Sequence, residues 1–170
     1  KSKERFSVEQ SLMQRQVLLF DLDGTLIDTA LGFQCLTEQL AWKTEAFDNY
    51  ARYYSGLSVR SYLEHLLIDK SNIDEKISDF LQQYHLNIEK YTFFFPGVLD
   101  IVKDLTQRNI TWGIVSNKDH AQCIKICQKF SLDPDFLLGA GVIPFKKPHP
   151  APLLKAAQKL QVLPSQCFYF

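Results

Sequence analysis

A short apolar run that ends in two acids constrains this chain more than any other feature. Val17-Leu18-Leu19-Phe20 is apolar at every position. A strand buried on both faces of a parallel sheet has that character. Asp21-Leu22-Asp23 follows directly, then Gly24-Thr25. Carboxylates are costly inside a sheet. They are tolerated at the carboxyl end of a strand, where open α/β sheets place their ligands. Strand alternation points Asp21 and Asp23 to one side. Two carboxylates beside a turn with free backbone N–H groups make a metal and phosphate site. The plainer alternative is that they end a strand and cap the next element.

Beyond the turn the pattern becomes helical. Asp28 is placed to cap a helix through Leu31, Cys35, Leu36 and Leu40. Tyr50 to Tyr54 is an aromatic cluster that includes Arg52, and Gly56-Leu57-Ser58 reads as a break. Ser58 then caps a helix through Val59, Tyr62, Leu63, Leu66 and Leu67. Ser71-Asn72 starts another, with Ile73, Ile77, Phe80, Leu81, Tyr84 and Ile88 at helical spacing. Residues 29–92 thus predict an amphipathic helical bundle with its own core.

Pro96-Gly97 marks a turn, and a helix follows with Val98, Ile101, Val102 and Leu105 facing inward. Ile110 to Val115 predicts the next strand, closed by Ser116-Asn117, with a helix from Lys118 to Phe130. A short strand is expected within Leu137 to Ile143. Pro152 suits the first turn of a helix that runs to Leu160. Gln166 to Phe170 is strand-like again. Strands that alternate with helices predict an α/β fold with a parallel sheet.

The chain has 170 residues, 46% of them hydrophobic, enough for a sizeable core. Its 19 basic and 19 acidic residues balance, which gives no support to a basic nucleic-acid surface. No apolar run approaches the roughly 18 to 20 residues that span a bilayer. Residues 1–13 read as a polar extension without a signal-like segment, and Met13 is a candidate natural start. Cys35, Cys123, Cys127 and Cys167 are scattered. Cys123 and Cys127 have helical spacing, but no matching pair completes a tetrahedral metal site. They are expected to be small apolar core residues in a reducing, cytoplasmic setting.

The string Asp21-Leu22-Asp23-Gly24-Thr25-Leu26-Ile27-Asp28 after an apolar strand resembles the first motif of the haloacid dehalogenase-like superfamily. Ser116, at the end of Ile114-Val115-Ser116-Asn117, resembles its second motif. Lys147-Pro148-His149-Pro150 matches the third, Lys-Pro-x-Pro. The fourth, an acidic motif after Cys167-Phe168-Tyr169-Phe170, does not follow in this sequence, so the core is expected to be incomplete toward its carboxyl end.

The resemblance implies a Rossmann-like parallel sheet with helices on both faces, built from residues 14–28 and 93–170. It implies that residues 29–92 are an inserted helical cap. Asp21 would be the nucleophile and Asp23 the general acid and base. Lys147 would offset the charge of the nucleophile and the phosphoryl group. Thr25, Ser116, Asn117 and Lys147 would bind phosphate. Asp21 and Asp23, the latter through its carbonyl, would bind Mg²⁺. Ser116 alone also suits a helix cap, and Lys147 alone a solvated loop. His149 is expected to lie exposed beside that loop. Arg60 is the cap candidate for touching substrate, against a plain solvent-facing helix arginine.

An Asp two residues after the nucleophile is similar to the phosphatases and phosphomutases, and the overall pattern most resembles the phosphoglycolate phosphatase branch. The expected activity, given a chain completed beyond Phe170, is Mg²⁺-dependent hydrolysis of a small phosphorylated metabolite, with no nucleic-acid or membrane partner. The alternatives are a phosphosugar mutase and an inactive scaffold that kept the fold.

Overall fold

The computed structural model describes residues 15–170, so the expected N-terminal extension lies outside the described residues. Val17–Phe20 forms β1 at the centre of a parallel sheet. Trp112–Asp119 (β2) lies on one side of it, with Phe136–Ala140 (β3) beyond. Cys167–Tyr169 (β4) lies on the other side, giving the order β3-β2-β1-β4. The chain therefore steps outward from β1 to β3 and then returns to the opposite side of β1. Ligands in open α/β sheets bind beyond the strand ends at such a reversal.

Val17 and Leu19 are fully buried, and they pack with Val115, Leu138, Ala156 and Leu160. The last two come from the helix Ala151–Leu160, which carries Pro152 in its first turn. That helix and His120–Lys129 are both in contact with β2 and β3. In the helix Val98–Gln107, Val98, Val102 and Leu105 are buried, whereas Ile101 is 54% exposed. Ile101 was expected inside. It falls at the margin of the apolar stripe that the other three define, and solvent takes it.

The chain divides into two compact units. Of the described residues, one joins those up to Thr25 to Pro96–Phe170, and the other is the continuous segment Leu26–Phe95. The second unit is helical. It contains α1 (Thr29–Gln39), α2 (Asn49–Leu57), α3 (Val59–Leu66) and α4 (Ile73–Leu86), then a 3₁₀ turn over Ile88–Tyr91. The helices of the first unit continue as α5 (Val98–Gln107), α6 (His120–Lys129) and α7 (Ala151–Leu160).

Caps written in the sequence set several boundaries. Asp28 accepts the Leu31 N–H at 3.0 Å, and Ser58 accepts the Ser61 N–H at 3.0 Å. The expected break at Gly56-Leu57-Ser58 narrows to Ser58 alone, because Asp48 caps α2 and the helix continues to Leu57. Aromatic rings form the core of this unit. Phe33 meets Tyr62, Phe80 and Tyr84 with centroids 5.3, 5.2 and 5.1 Å away. The Tyr62 hydroxyl pairs with Thr37 Oγ1 at 3.1 Å, and burial pushes its pKa up to about 12. Among the described residues no helix is long and apolar enough to cross a membrane.

Candidate active site

Asp21 stands one residue beyond β1, and its N–H donates to the Phe170 carbonyl at 2.8 Å. Phe20 pairs with Ile114, so Ser116 lies two residues beyond the last pairing on the neighbouring strand. The carboxyl ends of β1, β2 and β4 thus converge on one edge. Asp21 Oδ1 accepts the Leu22 N–H at 2.7 Å and lies 2.7 Å from Lys147 Nζ. Asp23 Oδ1 accepts from Lys118 Nζ at 2.8 Å. Two carboxylates and two ammonium groups therefore balance in charge at the sheet edge. Gly24 closes the turn after Asp23 with φ +80°, a conformation that a Cβ disfavours. Thr25 lies in this turn, and its N–H reaches the Leu22 carbonyl at 3.4 Å.

The end of β2 differs from the sequence expectation. The strand does not close at Ser116-Asn117 but continues to Asp119, and the helix begins at His120. Asp119 rather than Ser116 caps that helix, accepting the Gln122 N–H at 3.2 Å. Val115 pairs with Leu138 and the next pair is Asp119 with Ala140, so β2 bulges across Ser116, Asn117 and Lys118. Bulges re-aim side chains, often beside active sites. Here Ser116 is buried, and its Oγ accepts the Lys118 N–H at 3.1 Å. The Lys118 side chain is only 7% exposed. Asn117 turns its amide to the backbone of Lys147, donating to its carbonyl and accepting from its N–H, each at 2.9 Å.

Lys147 Nζ also donates to the Tyr169 hydroxyl, which in turn donates to the Val115 carbonyl at 3.4 Å. The Tyr169 phenol is shifted above its ordinary value, chiefly by burial, with the Lys147 hydrogen bond acting in the opposite direction. His149 is exposed, with its ring stacked on Phe145 at 4.2 Å. Lys146 is exposed as well.

Asp21, Asp23, Ser116, Asn117 and Lys147 thus gather at one edge with the Thr25 turn. Arg60 belongs to the helical unit, where Asp74 and Glu64 take up its guanidinium. That unit also holds a cavity of about 270 Å³ whose lining includes Glu38 and Glu45. Two carboxylates there repel a phosphate dianion.

Sequence reasoning missed Lys118 and Tyr169. Lys118 was hidden by reading a helix start where the strand runs on. A Tyr inside a strand-like run carries no local sign of a lysine partner.

The strand-end acids, the lysine above them and the parallel sheet agree with the family comparison. Residues 18–170 match the haloacid dehalogenase-like hydrolase family, and the chain belongs to it. Within that family it is similar to a phosphoglycolate phosphatase from Xylella fastidiosa, 31% identical over 161 residues, covering 91% of this chain and 70% of the relative. A phosphoglycolate phosphatase from Aquifex aeolicus is 33% identical over 151 residues, covering 85% of this chain and 70% of the relative. Among solved structures, a HAD-superfamily hydrolase of subfamily IA from Geobacter sulfurreducens shares the fold. It has a TM-score of 0.70 at 19% identity, over 91% of this chain and 77% of that one.

Proposed function

We propose that this protein is a phosphatase that hydrolyses a small phosphomonoester through an aspartyl-phosphate on Asp21. The observation that carries this reading is Lys147 Nζ, 2.7 Å from Asp21 Oδ1 at the carboxyl edge of the sheet. The names of the two relatives support phosphomonoester hydrolysis, and phosphoglycolate is the first substrate to try.

Carboxylates are ionised at neutral pH and act as nucleophiles without a base. A carboxylate oxygen of Asp21 bonds to phosphorus as the bond to the leaving oxygen breaks. Asp23, a carboxylate paired with Lys118 in the resting site, takes a proton from solvent as the phosphate dianion binds beside it. It gives that proton to the leaving oxygen, then takes one from the water that attacks the phosphoryl group and frees the Asp21 carboxylate. Acid–base help of this kind contributes roughly 10²- to 10⁴-fold. Lys147 offsets the charge gathered between nucleophile and phosphoryl oxygens. Ser116 uses its Oγ as an acceptor toward Lys118, so its O–H remains to donate to a phosphoryl oxygen. Thr25 and the Gly24 turn shape the pocket.

The donor set fits part of a Mg²⁺ shell. Mg²⁺ takes oxygen ligands, keeps several waters and often uses only one or two carboxylates beside substrate phosphate. The Asp21 carboxylate and the Asp23 carbonyl would hold it, and among the described residues no cluster of three or more His, Cys, Asp or Glu side chains is placed to add to them. When bound, the ion screens the repulsion between the carboxylate and the phosphoryl group. The helical unit is proposed to act as the cap that selects the leaving group, with Arg60 as its candidate contact once released from Glu64 and Asp74.

The test is release of phosphate from para-nitrophenyl phosphate and 2-phosphoglycolate by the full-length protein with Mg²⁺, in wild type and Asp21→Asn. Turnover that is lost in the variant supports the proposal. Turnover that survives the substitution, or none in the wild type, contradicts it.

A further inference from the structure

Lys147 belongs to a stretch, residues 141–150, without helix or strand, so regular backbone hydrogen bonding does not fix its place. Its backbone is instead held from β2. The Asn117 amide donates to the Lys147 carbonyl and accepts the Lys147 N–H, both at 2.9 Å, across 30 residues of sequence. The two bonds are reciprocal, so the amide has one satisfactory orientation. Flipping it would set an NH₂ group against an N–H and an oxygen against an oxygen. The bulge in β2 presents this amide to the loop. The side chain of the residue it holds reaches Asp21 Oδ1.

We infer that Asn117 is a positioning residue that sets the Lys147 ammonium on Asp21. This rests on the phosphatase reading for what is being positioned. The sequence expectation grouped Asn117 with Ser116 as a phosphate contact. In the structure both polar atoms of the Asn117 side chain are engaged by the backbone of Lys147. Small displacements of a catalytic group cost large rate factors, so a residue that touches only backbone can still control turnover.

The experiment is a double-mutant cycle on turnover of para-nitrophenyl phosphate with Mg²⁺, using Asn117→Ala, Lys147→Ala and the pair together. Two lost neutral hydrogen bonds predict a roughly tenfold fall for Asn117→Ala, in kcat rather than KM. The double variant should be no slower than Lys147→Ala within about twofold, because Asn117 has nothing left to position. Asn117→Asp sets a carboxylate oxygen against the Lys147 carbonyl, which needs a donor, and should fall at least as far as Asn117→Ala. Effects that multiply in the double variant would overturn the inference while leaving the phosphatase reading standing. Unchanged turnover in both Lys147→Ala and Asp21→Asn would instead sink that reading. Hydrogen exchange of the Lys147 amide gives a readout independent of turnover. Its protection should be lost in Asn117→Ala, and protection that persists would overturn the inference even if the chain showed no activity.

Discussion

Replacing Lys147 by Ala isolates the cation on which the proposed chemistry depends. Nζ lies 2.7 Å from Asp21 Oδ1, with the Lys147 side chain 14% and the Asp21 side chain 31% exposed. At an effective dielectric of about 20, that separation corresponds to a gross attraction of about 6 kcal/mol. Most of this is present before reaction and is offset by desolvation of both groups. Only the part that grows as charge shifts between Asp21, phosphorus and the leaving oxygen accelerates the reaction. Removing one such preorganised group typically costs about 2.7 to 4 kcal/mol, or roughly 10²- to 10³-fold in kcat. Lys147→Ala should therefore lower kcat on para-nitrophenyl phosphate by that factor. Lys147→Arg keeps the charge but not the compact ammonium, and should recover only part of the loss. Steady-state kinetics checks both, with thermal melting to show that each variant is folded. A folded Lys147→Ala protein with less than a threefold loss would refute the electrostatic argument.

Tyr169→Phe removes the hydroxyl that Lys147 Nζ uses. One such bond contributes about 0.5 to 1.5 kcal/mol, so turnover should fall roughly three- to tenfold in the same assay. Gly32→Ala sets a helix-propensity gain of about 1 kcal/mol against a clash. A Cβ there would meet the Tyr91 carbonyl oxygen at 2.1 Å, and backbone cannot swing aside. Overpacking of roughly 1–3 kcal/mol or more should win, and thermal melting should show a lower midpoint. Burial raises the Cys123 thiol to about 12 and the Cys127 thiol to about 11. At pH 8 their thiolate fractions are then about 10⁻⁴ and 10⁻³, so a disulfide reagent should label both only after urea is added, as peptide mapping would report.

The parts of the fold legible in the sequence are those that local chemistry determines. Val17–Phe20 declares a buried strand by being apolar throughout, and Asp28 and Ser58 declare helix starts because short acceptor side chains bond the first free N–H groups. Lys147 stood out through its proline-flanked setting. The β2 extension did not, because Ser116-Asn117-Lys118-Asp119 is polar and imitates a helix start. It is a strand by virtue of pairing with β3 across a register shift, as in Asp119 with Ala140. Tyr169 acquires its lysine partner only once β4 lies beside β1, a pairing of Val17 with Cys167 that no local pattern records. Arg60 likewise looked available from its own helix, and Asp74, in the first turn of a later one, takes it. In each case the missed feature depends on residues far apart in sequence.

In the proposed reaction Asp21 carries the phosphoryl group during turnover. Acid quenching of the chain during hydrolysis of para-nitrophenyl phosphate, followed by peptide mapping, tests it most directly. A phosphoryl adduct is expected on the peptide containing Asp21, labile to hydroxylamine as acyl phosphates are, and absent from Asp21→Asn. An adduct on a different residue, or the same adduct in Asp21→Asn, would contradict it.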